Sequence, residues 1–272
     1  MYGINPISPN EERSKTSLLL LRIYLVILFC LLFTEIVAAV ILHKNGGNMR
    51  ESLMVVAAVG IVGALGGIVN ILFMVYFIMW LRRAYHNLHK AGSKNLRHSE
   101  GWAAGAWFIP IMSFVWPLQI VRDTWIEMQN VFRKQGEFYE REEDTVTGWW
   151  WAFFLVALFV GYIGSFNINF KNFEIGYTFS ALSHLGYLFS GIMLITVIRK
   201  ITDMENDMSQ RANGYYAWLT QQQAEQYQQQ QNANAGNMQE QNPFQPENSI
   251  QQNPGQPDSN EENNSQDNFY KP

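Results

Sequence analysis

Ionisable and amide side chains are rare in the apolar stretches of this 272-residue chain, and those few are the first candidates for chemistry. Glu35 interrupts the first apolar stretch, Asn70 the second and His184 the last. A titratable group inside a hydrocarbon layer is costly, so it marks an ion path, a proton relay or a polar clamp between helices. At a helical rise of about 1.5 Å per residue, Glu35 lies roughly 20 Å from Arg22, Asn70 roughly 18 Å from Arg82 and His184 roughly 22 Å from Arg199. The three therefore share one level, in the outer part of a bilayer. A Glu35–His184 pair with Asn70, Ser183 and Tyr187 nearby would bind an ion or relay protons. As a clamp it would only join helices, at about 1 kcal/mol per bond. Glu35 facing water near its helix end is a third reading.

A second constellation follows the second apolar stretch. Trp80, Arg83 and Asn87 recur at spacings of three and four and so share a helical face. Downstream, Pro110 and Pro117 break the short apolar segment Ala106–Val121 and leave helix carbonyls without donors. Arg83 and Asn87 are placed to hydrogen-bond those carbonyls, with Trp80 anchoring the helix end at the interface. Arg82, Arg83, Lys90 and Arg97 also suit a phosphate or an anionic lipid headgroup. His86 and His89 stand three apart, but no third ligand matches them, so no metal is expected. Cys30, the only cysteine, is expected to be buried, which makes it a poor nucleophile and rules out an internal disulfide. No phosphate-cradling loop and no G-x-S-x-G elbow occurs. No catalytic residue and no cofactor is therefore assigned, and an enzyme is not expected.

These side chains must be carried by helices. Hydrophobic residues make up 48% of the chain and charged residues only 15%, and the charges cluster in a few segments. A mean hydropathy of -0.11 therefore averages an apolar part with a polar tail. The net charge of -4 gives no basic footprint for nucleic acid. About 20 apolar residues cross a bilayer as helix, and four runs qualify: 17–42, 53–81, 149–168 and 175–198. Because lipid offers the backbone no partner, such runs are helical. The first is longer than the apolar region of a signal peptide and is expected to be retained. If Ala106–Val121 does not cross, all lysines and arginines except Lys44, Arg50 and Lys171 fall on the side of the N-terminus. If it does cross, the charges split almost evenly. The positive-inside rule favours four crossings, both termini cytosolic, and a re-entrant or interfacial fifth segment.

Trp149, Trp150 and Trp151 would then sit at the inner headgroup level. After Pro117, Leu118, Val121, Trp125, Met128 and Phe132 form one apolar stripe, which suits a helix lying on the inner membrane surface or packed on the bundle's own end. The acidic run Glu137–Asp144 reads as a solvated linker. Gly60, Gly63 and Gly67, and Gly186 with Ser190, read as close helix contacts within the bundle or between copies. From about Gln221 glutamine and asparagine dominate, with too little apolar surface to offset the entropy of ordering. The fold expected is an all-α integral membrane protein: a four-helix transmembrane bundle with a proline-broken re-entrant or interfacial segment and a disordered C-terminal tail. Its parts are a cytosolic segment 1–16, a membrane domain 17–211 containing the interfacial segment 106–135, and a tail 212–272.

The loop after the second span carries a recognisable pattern. Trp80, Arg83, Ala84, Asn87 and Leu88 make W-x-x-R-A-x-x-N-L; Gly101-Trp102 follows, then Trp107-Phe108-Ile109-Pro110, then Pro117 leading to Arg122, Asp123 and Trp125. Over roughly residues 50–205 this resembles the bacterial membrane family catalogued as domain of unknown function 4328. Several rare residue types recur in order, which makes the resemblance specific. The chain departs from the family pattern at Glu100, where proline is frequent, at Ser113, where asparagine is, and at Trp116, where a basic residue is. The resemblance implies a bacterial inner-membrane location and no defined activity. The function expected is a non-enzymatic scaffold or sensor that contacts membrane lipids, anionic headgroups among them, or protein partners. A small oligomeric channel or transporter using Glu35, Asn70 and His184 is the alternative.

Overall fold

A computed structural model describes residues 7–46, 50, 53–134 and 142–240. The described residues form six helices: α1 (Glu11–Lys44), α2 (Leu53–Lys90), α3 (Trp102–Gly105), α4 (Trp116–Lys134), α5 (Thr145–Asn169) and α6 (Phe173–Glu240), with a 3-10 turn at Met112–Phe114. The chain divides into two units, 1–221 and 222–272. In the second, the described residues 222–240 are helical. The expectation of disorder from residue 212 therefore fails for 212–240, and Ala212 is buried. Alanine, glutamine, glutamate and methionine lose little freedom in a helix, and no proline intervenes before Pro243. Residues 241–272 lie outside the described residues.

Four helices, α1, α2, α5 and α6, are long and apolar enough to cross a membrane. They present large apolar side chains outward: Val26, Phe29 and Phe33 on α1, Ile61, Leu65 and Ile68 on α2, Phe159 on α5, Ile192 on α6. In water that surface would be untenable, but against acyl chains it is the ordinary exterior. Cys30 belongs to it. The expectation that Cys30 is buried is wrong; it is exposed on α1, where one side of the helix faces out.

Close packing joins α5 and α6 and depends on small residues. Their connection is short, with Lys171 at φ 64° ending α5. A Cβ on Gly164 would come within 2.8 Å of Ser180 Oγ and 3.0 Å of the Gly176 carbonyl, and one on Gly176 within 2.4 Å of Ile168. Ser183 Oγ donates to the Ala157 carbonyl at 2.7 Å and Ser190 Oγ to the Trp150 carbonyl at 3.1 Å. Of the glycines read from the sequence as contacts, Gly186 fits, 2.9 Å from Ala157. Gly60 and Gly67 meet nothing within 4 Å in the single chain.

The main apolar core lies at one end of the bundle, where α1 begins and α2 ends. Phe77, Trp80, Leu81, Ala84, Tyr85 and Leu88 of α2 cluster with Ile120, Val121, Trp125 and Met128 of α4, with Trp150 and Trp151 of α5, and with Val197, Ile198 and Ile201 of α6. Val121, Trp125 and Met128 of the α4 stripe thus belong to this core, and α4 also buries Asp123, Thr124, Glu127 and Gln129. Its apolar stripe is covered by the bundle, not by a membrane surface. Gln129 and Trp125 both reach the Glu142 backbone, and Glu142 pairs with Lys200 at 2.6 Å. That end of the acidic run is therefore pinned; residues 135–141 lie outside the described residues. A smaller cluster of Ala38, Leu42 and Tyr177 closes the opposite end.

The glycine geometry makes a sharp prediction. Gly164→Val should lower stability by about 1–3 kcal/mol through overpacking. Gly67→Val, with open space around it, should leave thermal unfolding in detergent unchanged. Equal loss in both variants would mean that α2 is covered as closely as α5.

Candidate functional site

The polar groups of interest meet at the core end, which also carries most of the basic residues. Asn10 precedes α1 and is a residue type suited to capping, yet it makes no side-chain cap. Its amide is used elsewhere: Nδ2 donates to the Trp80 carbonyl at 3.1 Å and to Glu205 Oε2 at 2.8 Å. Asn87, on the last turn of α2, donates through Nδ2 to Glu205 Oε1 at 2.6 Å and to the Ser8 carbonyl at 2.9 Å, and its Oδ1 accepts from the Ser8 backbone N–H at 3.2 Å. Lys90 Nζ reaches Ser8 Oγ at 3.2 Å. One buried carboxylate thus joins α6 to α2 and to the segment leading into α1.

Glu205 is 2% exposed and lies seven residues past Ile198, outside the apolar span of α6. Burial pushes its carboxyl up to about 7, against the opposing hydrogen bonds from Asn10 and Asn87 and the charges of Arg83 and Arg13. Desolvation outweighs the two amides because neither carries a charge.

Beside this network a cavity of about 300 Å³ is lined by Arg13, Met79, Arg82, Arg83, His86 and Glu100. His86 Nδ1 is 2.6 Å from Glu100 Oε2. Among the described residues no carboxylate lies within ion-pair distance of Arg13, Arg82 or Arg83. Arg97 is engaged elsewhere, with its Nε 3.1 Å from Asp123 Oδ1. Asp123 is nonetheless shifted upward by burial, which its N–H bond and ion pair with Arg97 only partly offset.

These contacts revise the expected corner. Asn87 does not reach the Pro110 segment, because all its hydrogen bonds run to Ser8 and Glu205. Arg83 lines the cavity instead. In the broken segment the Phe114 carbonyl accepts from Trp151 Nε1 at 2.9 Å and the Pro110 carbonyl from Ser113 Oγ at 2.7 Å. Trp80 is not an interfacial anchor: it is wholly buried, stacked near Phe77 with ring centroids 5.7 Å apart. Trp107 packs edge-on to Phe77 at 5.5 Å, Trp102 edge-on to Trp116 at 4.6 Å, and Trp125 is buried. Pro117 is buried at the start of α4, whereas Pro110 is exposed beside Phe108 and Ile111. Of the tryptophan triplet only Trp149 is exposed.

At the other level, His184 Nδ1 lies 2.6 Å from Glu35 Oε2, so α1 and α6 bring these two together. Asn70 is half-buried on α2 and makes no hydrogen bond in that pair. No group of three histidine, cysteine, aspartate or glutamate side chains suited to a metal occurs among the described residues. Sequence reasoning missed Glu205, Asn10 and Ser8. Glu205 sits beyond the apolar run among Asp203, Glu205 and Asp207, where a carboxylate looks solvated. Its only sequence signal is its place on the helix face of Ile201, Met204 and Met208.

A folded-state carboxyl raised to about 7 works against folding between the unfolded value of 4.5 and 7. In that window the unfolded chain gives up its proton while the folded chain keeps it, so stability falls as pH rises and then levels off. The size is on the order of 3 kcal/mol. Chemical unfolding of wild type and Glu205→Gln across pH 4.5–8 should show this loss in wild type only; parallel curves would place the titration elsewhere.

No curated protein and no solved structure matches the chain. A family model does, over residues 47–203, and its description is a domain of unknown function, DUF4328. The match runs from before α2 into α6 and includes the Trp80–Leu88 stretch, both prolines and Trp125. This chain belongs to the DUF4328 family.

Proposed function

We propose that this is a non-enzymatic protein of the bacterial inner membrane, with both termini cytosolic. It serves as a scaffold or sensor that recognises anionic phospholipid headgroups through its cytosolic end. The carrying observation is the cavity of about 300 Å³ with three arginines that have no carboxylate partner among the described residues. Glu100 also lines the cavity, but it is paired with His86, so positive charge is in excess there and a phosphate would meet it with bidentate bonds. Arg82 and Arg83 follow directly on the apolar run of α2, at the depth of a headgroup. Met79, half-exposed one turn earlier, gives the cavity an apolar lip where an acyl chain would begin. The basic excess at this end supports the orientation.

A second reading, a small oligomeric channel or transporter, is supported by the Glu35–His184 pair. It needs a water-filled path to that level and further copies of the chain. Ion flux through liposomes carrying wild type but not Glu35→Gln would favour it over the scaffold.

Two measurements test the main reading. Purified with bacterial lipid, the Arg82→Ala/Arg83→Ala variant should retain several-fold less phosphatidylglycerol than wild type, while Arg97→Ala, outside the cavity, should retain as much. Equal retention in all three would remove the cavity as a headgroup site. In a Cys30→Ser background, cysteines at Lys44 and Lys171 should label from the periplasmic side and one at Gln135 should not; the reverse would invert the topology.

A further inference from the structure

We propose that the arginine cavity and Glu205 form one proton-coupled unit, in which binding of an anionic phosphodiester draws a proton onto Glu205. The inference rests on the reading of the cavity as a headgroup site and names how that site is regulated. Two guanidinium groups are shared. Arg13 and Arg83 line the cavity, and each stands about one helical turn from an amide bonded to Glu205, Arg13 three residues after Asn10 and Arg83 four before Asn87; both favour the ionised carboxylate. An anion held between them adds negative charge close to Glu205 and engages the positive charge that favours its ionised form.

The surroundings of Glu205 leave the proton as the remaining means of adjustment. Its two oxygens accept from Asn87 and Asn10, both neutral amides, and it is 2% exposed. No cation lies within ion-pair distance of it among the described residues. From the segment before α1 it is faced by Asn10, with Ser8 behind Asn87 and Lys90 on the Ser8 hydroxyl. Arg13 acts on it from α1 and Arg83 from α2. A buried carboxylate with only neutral donors is costly to keep charged, so a further nearby anion is met by neutralisation. The proton comes from solvent, at most one per bound anion; the bond formed is the Glu205 carboxyl O–H and the bond broken is that of the solvent or buffer acid that gives the proton. By linkage the effect is reciprocal: a proton on Glu205 strengthens anion binding, so affinity rises as pH falls. His86 is the other titratable group at the cavity, paired with Glu100, and has to be separated from Glu205 by experiment.

The test titrates full-length protein in detergent with dihexanoylphosphatidylglycerol and, separately, with water-soluble glycerophosphoglycerol. Neither phosphodiester changes its own charge near neutrality. Wild type should bind about tenfold more tightly at pH 5.5 than at pH 8.5, the response to a displacement of about one unit in a single carboxyl. Calorimetry in buffers of different ionisation enthalpy should record proton uptake near pH 7. Glu205→Gln should bind with nearly the low-pH affinity throughout, and His86→Gln, whose affinity changes because His86 lines the cavity, should keep the wild-type ratio of affinities between pH 5.5 and 8.5. A response with both probes assigns a free phosphodiester site; a response with the lipid alone assigns a headgroup site. Tight binding by wild type with no pH dependence and no proton uptake would overturn the coupling but leave the headgroup site. Absence of binding at any pH would overturn both. Loss of the response in His86→Gln but not in Glu205→Gln would move the proton to His86 and overturn the proposal. Should Glu205→Gln fold poorly, the proton count in His86→Gln decides: uptake kept in that variant upholds Glu205, and uptake lost overturns the proposal.

Discussion

The fold turns on one buried carboxylate. Glu205 carries α6 onto Asn87 of α2 and Asn10 before α1, and Asn87 in turn holds the Ser8 backbone by both its N–H and its carbonyl. Both carboxylate oxygens of Glu205 and both ends of the Asn87 amide are bonded, while the buried Asn10 Oδ1 has no partner among the described residues. Without Glu205, Asn10 and Asn87 would each lose a bond in a site with no water to replace it. Apolar packing alone would not fix the position of residues 7–10, because hydrophobic contact is not directional. The network fixes the position of the segment before α1, and Arg13 is carried to its place beside Arg82 and Arg83 as a consequence.

The distribution of the core follows from the solvent. Between the headgroup levels the helices gain little by hiding apolar side chains, because lipid is as apolar as leucine. There the close contacts are made by small residues, Gly164 and Gly176 against α6 and α5, with Ser183 and Ser190 bonding across. At the end where water begins, the hydrophobic effect returns. Large side chains such as Trp80, Tyr85, Trp125 and Trp150 collect there. α4 caps that end and spends its apolar stripe on it. The short segment between α3 and α4 keeps Phe108, Ile111 and Phe114 outward.

How much of this was legible in the sequence depends on the range of the interaction. The four long apolar helices followed from run length and composition, which are local properties. The Glu35–His184 contact followed from depth, because helices of known rise place residues of known sequence distance at known levels. The motif residues Trp80, Arg83 and Asn87 were found, but their partners were not. Spacing identifies a helical face and says nothing about which element covers it. The sequence reading assigned that face to Pro110 because prolines leave carbonyls unpaired; the face is covered by residues 8–10 and by α6 instead, and the Phe114 carbonyl is served by Trp151. Glu205 could not be picked out from Asp203 and Asp207, since burial of a carboxylate is decided by a contact 118 residues away in sequence, with Asn87.

The two polar pairs of the molecule differ in a way that separates their roles. Glu35 and His184 are a direct pair, with His184 Nδ1 2.6 Å from Glu35 Oε2. That suits a joint between α1 and α6 within lipid, where net charge is what costs most. At the core end charge is not balanced in this way. Glu205 faces neutral amides, while Arg13, Arg82 and Arg83 face a cavity. The matched family residues, 47–203, contain Arg82, Arg83 and Asn87 but neither Arg13 nor Glu205. Arg13 and Glu205, on which the proposed proton coupling rests, therefore lie outside the matched residues. Under that proposal the matched region contributes the positive end of α2, and α1 and the part of α6 beyond residue 203 contribute Arg13 and Glu205.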